Sequence, residues 1–140
     1  MTRLSELAQF LVKQPKGILA ADESNTTMDN RLLSIGLDGT EFKRKEWREL
    51  IFSTPGLNEY VSGIIMYDET VRQESQLGQS FVSMLTSFGI VPGVKVDTGT
   101  EHLVDSEGEF LTHGLDGLSK RLREYKNFGI KFTKWRSVLS

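Results

Sequence analysis

The sequence predicts an α/β fold built on a parallel sheet, and three observations carry that expectation. Short apolar runs of strand length, residues 17–21 first among them, hold no alternating polar residue, the pattern of strands covered on both faces. Between these runs lie segments whose apolar residues recur at helical spacing. The two kinds alternate as one helix, three strand–helix units and a last strand, which suits right-handed crossovers within one sheet.

Leu4, Leu7, Ala8, Leu11 and Val12 share a helical face, and Pro15 closes that segment. Residues 17–21 form the first buried strand. A short helix is expected over 26–35, ended by Gly36. Asp38 and Glu41 have capping-box spacing, and Phe42, Trp47, Leu50, Ile51 and Phe52 suit a helix running to Ser53 before Pro55. Residues 60–67, with Val61, Ile64, Ile65 and Met66, read as a second buried strand. Ser80 is placed to cap a helix carrying Phe81, Val82, Met84, Leu85 and Phe88, and 90–96 reads as the third strand. A polar connection follows in which "LVDSEGEFL", 103–111, suits a hairpin. Leu115, Leu118, Leu122 and Tyr125 then define a helix with Gly129 as its C-cap. The last strand, 131–139, alternates: Phe132, Lys134, Arg136 and Val138 share one face. No stretch reads as a linker, so residues 1–140 are expected to form one unit.

Every strand ends in polar residues. The first runs into Asp22-Glu23-Ser24 and the second into Asp68-Glu69-Thr70; the third carries Lys95 and Asp97, and the fourth Lys134 and Arg136. Parallel strands point the same way, so these groups converge on the rim where such sheets hold ligands. Lys95, Lys134 and Arg136 on one rim suggest an anionic ligand, with arginine able to grip a phosphate by two parallel bonds. Asp22 beside them can accept a proton or orient a lysine. Taken singly, each has a plainer reading: Asp22 as a helix N-cap, a strand lysine as a solvated residue, and Lys134 with Arg136 as a guard on an edge strand. Repetition over four strand ends is what favours a site.

Composition narrows the classes. Seventeen basic residues against nineteen acidic give a net charge of −2, which offers no general drive toward nucleic acid or an anionic membrane. Without cysteine there is no thiolate chemistry, and His102 with His113 are too few for a zinc site, so no metal is expected. No nucleotide-binding glycine motif occurs. The run "KRKEWR", 43–48, lies beside Glu41, Glu46 and Glu49 and reads as a solvated helix face. With no signal-like or membrane-spanning apolar run, a cytoplasmic location is the expectation.

"KGILAADES" with Arg31 nine residues after Asp22, then "VKVDTG", "GLDGLSKR" and "KFTKWR", resemble the class I fructose-bisphosphate aldolases from about residue 4 onward, in order and at near-family spacing. That resemblance implies a (β/α)8 barrel of the TIM type, of which this chain would hold the first four strands as an N-terminal half. It implies reversible cleavage of fructose 1,6-bisphosphate to dihydroxyacetone phosphate and glyceraldehyde 3-phosphate through a lysine Schiff base, without metal or cofactor, in a homotetramer. It assigns Asp22 to proton transfer and carbon–carbon cleavage, and Lys134 to forming and hydrolysing the carbinolamine. Arg136 and Lys95 become substrate-binding cations. Ser24 and Arg31 become phosphate contacts, with Thr27 as a serine substitute.

Some positions depart from the family. Asn25-Thr26-Thr27 stands where Thr-Gly-Ser is usual, so a glycine's backbone freedom is missing beside the phosphate. Thr98 stands where many members carry lysine. The Schiff-base lysine, the acid–base glutamates and the second phosphate clamp belong to later strands, so this chain by itself is expected to be inactive. A non-catalytic module that binds sugar phosphates or proteins is the alternative.

Overall fold

The computed structural model describes residues 3–138. Four parallel strands form one sheet in the order β1 (Gly17–Ala21), β2 (Val61–Met66), β3 (Val91–Lys95) and β6 (Phe132–Lys134). Helix α1 (Leu4–Leu11) precedes β1; α2 (Asn25–Ser34), α3 (Glu41–Phe52) and α4 (Leu57–Tyr60) join β1 to β2. Helices α5 (Asp68–Val71) and α6 (Phe81–Ser87) join β2 to β3. Between β3 and α7 (Leu118–Phe128), a separate antiparallel hairpin pairs β4 (Gly99–His102) with β5 (Phe110–His113). The sheet is open and does not close into a barrel.

Register explains how the sheet separates its two tasks. Ala20 pairs with Ile65, Ile65 with Gly93, and Gly93 with Phe132. Alternation then places Leu19, Ala21, Ile64, Met66, Val94, Val96 and Trp135 on the face that meets the helices, and all belong to or pack against the core. Phe52 of α3 and Phe81 of α6 fill that core, fully buried and edge to face with ring centroids 5.4 Å apart. Burying each such side chain stabilises the fold by about 1.5–3 kcal/mol.

The opposite face is thinly covered. Phe132 lies across it so closely that a Cβ on Gly93 would sit 2.4 Å from the ring, and one on Gly63 would sit 2.6 Å from Leu11. Glycine is needed at both because a neighbour's side chain occupies that volume. Ser62 ties α1 to the sheet, its hydroxyl donating to Leu11 O at 2.6 Å. Beyond Leu11 the cover stops, and β1 is an exposed edge with Ile18 42% accessible. The apolar run 17–21 is therefore a strand, as its length predicts, but not a buried one.

Other local expectations shift for physical reasons. Thr40, not Asp38, caps α3, its hydroxyl accepting from Lys43 N at 3.2 Å. Ser80 caps α6 as expected, and Gly129 adopts the left-handed conformation (φ 100°) that ends α7. A hairpin forms here, but not within 103–111 as expected: its strands are Gly99–His102 and Phe110–His113, and 103–109 is their connection. The ladder of the last strand spans Phe132–Lys134, short of the expected 131–139, and Leu139 lies outside the described residues.

Candidate functional site

The strands' carboxyl ends open into a cavity of about 400 Å³, lined by Asp22, Glu23, Ser24, Thr27, Tyr67, Lys95, Asp97, Thr98, Gly99, Thr100, Lys134 and Arg136. The residues on its sheet side all come from the face opposite the core. Asp22 continues Ile18 and Ala20; Tyr67 continues Gly63 and Ile65; Lys95 and Asp97 continue Gly93; Lys134 and Arg136 continue Phe132. One alternation thus sends aliphatic groups to the helices and ionisable groups to the cavity.

Two lysine–carboxylate pairs dominate it. Lys134 Nζ donates to Asp22 Oδ2 at 2.6 Å, joining the two outer strands across 112 residues of sequence. Lys95 Nζ donates to Asp97 Oδ1 at 2.6 Å and to Asp97 O at 2.9 Å. Asp97 also accepts from the backbone N–H of Arg136 at 3.2 Å, which ties the end of β3 to the residue following β6 by two positions. Burial by itself would raise the Asp97 pKa, but these hydrogen bonds outweigh it and hold the carboxyl below its ordinary range. Asp22 and Asp97 are almost fully buried. Glu23 brings the lining carboxylates to three against three cations, so the pairs offset one another. Among the described residues no carboxylate lies within ion-pair distance of the Arg136 guanidinium, and it remains available for an anion.

Ser24 begins α2 as its N-cap, which removes the plain N-cap reading for Asp22. The Ser24 hydroxyl accepts from Thr27 N at 3.3 Å and lies 3.0 Å from Thr27 Oγ1, so the helix opens with two hydroxyls facing the cavity. Arg31 is apart from the other expected residues. It does not line the cavity and pairs with Glu23 instead.

The basic run of α3 is not a solvated face. Arg48 is 3% exposed; its Nη2 lies 3.0 Å from Glu23 Oε2 and donates to Glu23 O at 3.2 Å. One turn earlier Arg44 binds Glu69 through Nε at 2.8 Å and Asp29 through Nη1 at 2.7 Å. Burial is the largest influence on Arg48 and lowers its pKa, with Glu23 and Asp22 opposing it. Arg44 is raised, chiefly by its hydrogen bonds with Glu69. The helix thereby buttresses the acidic turns after β1 and β2. Spacing gave a signal for this, since residues four apart share a helix face, but nothing in the sequence showed that this face turns inward. Tyr67 was likewise missed, although alternation along β2 puts it on the cavity side. The two histidines lie in the hairpin, where His113 Nε2 is 2.8 Å from Glu101 Oε1 and His102 stacks on Phe110.

What the arrangement can do chemically is hold an anion at Arg136 beside a hydrogen-bonded ammonium and carboxylate. Comparison with known proteins gives that geometry a family. The model of the family described as "Fructose-bisphosphate aldolase class-I" matches residues 3–140. The chain belongs to that family. It is 46% identical over 138 residues to the probable class 1 fructose-bisphosphate aldolase of Xanthomonas axonopodis pv. citri, covering 99% of this chain and 41% of that one. Fructose-bisphosphate aldolase 1 of Toxoplasma gondii is 48% identical over 137 residues, covering 98% of this chain and 38% of the relative. Among solved structures, an aldolase of Plasmodium falciparum, in a ternary complex with TRAP and a small-molecule inhibitor, superposes with a TM-score of 0.90 at 43% identity. The match covers 94% of this chain and 38% of the Plasmodium one. The chain thus spans about two fifths of the length of the curated aldolases it matches. No helix among the described residues is long and apolar enough to cross a membrane.

Proposed function

We propose that this chain forms the first half of an eight-stranded barrel and supplies part of the site at which a class I aldolase cleaves fructose 1,6-bisphosphate. The reaction is the reversible glycolytic and gluconeogenic one, giving dihydroxyacetone phosphate and glyceraldehyde 3-phosphate. The observation that carries the reading is the 2.6 Å contact of Lys134 with Asp22 in a cavity flanked by Lys95 and Arg136. In this reading a lysine on a later strand, outside these 140 residues, forms the Schiff base with the substrate ketone. The iminium then takes up the electron pair released as the carbon–carbon bond breaks, so no metal is required. Asp22 takes and returns the proton that this step moves. Lys134, hydrogen-bonded to Asp22, donates to the oxygen lost when the carbinolamine dehydrates.

The remaining roles follow from charge and position. Arg136 and Lys95 bind the substrate as cations. Ser24 and Thr27 present hydroxyls to a phosphate at the start of α2, with Arg31 joining them as a third contact. The full-length protein is proposed as a homotetramer. The cytosol is its proposed compartment, by analogy with the Arabidopsis relative named cytosolic; another Arabidopsis relative is named chloroplastic.

Two experiments on the purified chain test this. Fructose 1,6-bisphosphate should shift the amide resonances around Asp22, Thr27, Lys134 and Arg136, and Arg136→Leu should weaken binding by roughly tenfold or more. Absence of binding at these residues would overturn the reading. A triose phosphate assay should detect no cleavage by this chain alone. Cleavage abolished by Lys134→Met would instead mean that a lysine present here forms the Schiff base.

A further inference from the structure

Glu23 is a carboxylate in the wall of a cavity whose proposed ligand is an anion, and it holds two arginines at once. Its Oε1 accepts from Arg31 Nη1, while Oε2 faces Arg48 Nη2 at 3.0 Å. Arg48 is almost completely buried, bonds the Glu23 carbonyl as well, and has its other terminal nitrogen 3.2 Å from Met28 Sδ. A guanidinium that deep and held at three points fixes Glu23 in place. The Arg31 side chain is different, at 58% exposed and held, among the described residues, by Glu23 alone. It sits one helical turn beyond Thr27, which does line the cavity, so the two share a face of α2. Long side chains on a helix lean toward its N-terminus, and here that direction leads to Ser24, Thr27 and the cavity.

We infer that Glu23 is a retaining carboxylate: anchored by Arg48, it keeps Arg31 off the anion site and so limits how tightly that site binds. The inference deepens the sugar-phosphate reading and rests on it. An anion arriving beside Ser24 and Thr27 gains Arg31 only by taking it from Glu23, and it meets the Glu23 charge in the wall as it does so. Both effects weaken binding and hasten release. Glu23 is thus a positioning residue that acts through Arg31 and carries out no chemistry itself.

The test is a titration of inorganic phosphate into the full chain at fixed ionic strength, following the Thr27 amide and the Arg31 guanidinium by NMR. Glu23→Gln removes the charge and leaves an acceptor for Arg48; phosphate should bind roughly three- to tenfold tighter, the effect of removing one like charge a few ångströms away. In the double variant Glu23→Gln with Arg31→Gln, compared with Arg31→Gln alone, the part of that gain that comes through Arg31 should vanish, leaving only the smaller part due to the Glu23 charge itself. Glu23→Asp keeps a charge for Arg48 but is one methylene too short to hold both arginines, and a smaller gain is expected. This second variant keeps the test decisive if the glutamine variant folds poorly. A gain undiminished by loss of Arg31, or binding unchanged or weaker in both single variants, would overturn the retaining role while leaving the anion site standing. Phosphate bound by neither the parent nor the variants would overturn both.

Discussion

Asp97 receives hydrogen bonds from Lys95 and from the backbone of Arg136, and its carboxyl titrates below the ordinary range. A carboxyl depressed in the folded state contributes stability above its unfolded pKa of about 4 and loses it as pH falls through the folded value. Asp68 behaves the same way: burial opposes ionisation, but bonds from Arg72 and Tyr125 outweigh it. Acid unfolding should therefore begin below about pH 4, and Asp97→Asn should flatten that limb, measured by urea unfolding at stepped pH. The phenol of Tyr125 works in the other direction. Burial and its 2.9 Å bond to Asp68 push its pKa up to about 12. Its share of stability is complete below about pH 10 and disappears as pH rises toward 12. Tyrosinate absorbance should show one of the three tyrosines titrating late, and Tyr125→Phe should remove that phase. At this scale the sequence was informative where a residue type carries the chemistry. The convergence of Asp22, Lys95, Lys134 and Arg136 on one cavity was legible because ionisable groups followed apolar strands. Arg48 was not, because its helix face mixes acid and base and only tertiary packing decides which side is buried.

Among the elements, those marked by apolar runs were the most legible. β1 has the predicted bounds, and β2 and β3 lie one residue inside theirs at each end. Helices α4 and α5, each four residues long, were missed because one turn is too short to show a period. The second of them begins at Asp68, so the polar cluster expected to close the second strand is itself helical. Coverage was the other failure: a continuous apolar run signals contact on both faces, yet β1 has no strand on one side. A pairing that does depend on fine fit is β3 with β6. Gly93→Ala would drive a methyl into the Phe132 ring, and overpacking of this kind costs about 1–3 kcal/mol. Thermal unfolding should show the loss, and Phe132→Leu in the same chain should recover part of it.

Across the whole molecule, the parallel direction of the strands was readable from the alternation of elements, because helical crossovers join parallel strands. The hairpin lies outside the four-stranded sheet. The alternation alone did not reveal how open this chain is by itself, whereas the resemblance to a longer barrel implies that its first and fourth strands are open edges. β1 and β6 each have one free edge, and the face bearing Ile18 is only partly covered. Free parallel edges beside apolar surface promote association. The purified chain should sediment as a concentration-dependent mixture of species. A single sharp monomer with a cooperative thermal transition would contradict this.

The alternation shared by the four strands also constrains how such a chain can change over time. Each strand carries a parity, one set of positions facing the helices and the other facing the cavity. Gaining or losing a single residue inside β6 would exchange Lys134 for Thr133 or Trp135 at the same height, replacing an ammonium with a hydroxyl or an indole. The same change within the 103–109 connection of the hairpin would leave every parity intact. Length can therefore drift freely in the loops, whereas a strand leading to the cavity can change length inside its ladder only in steps of two.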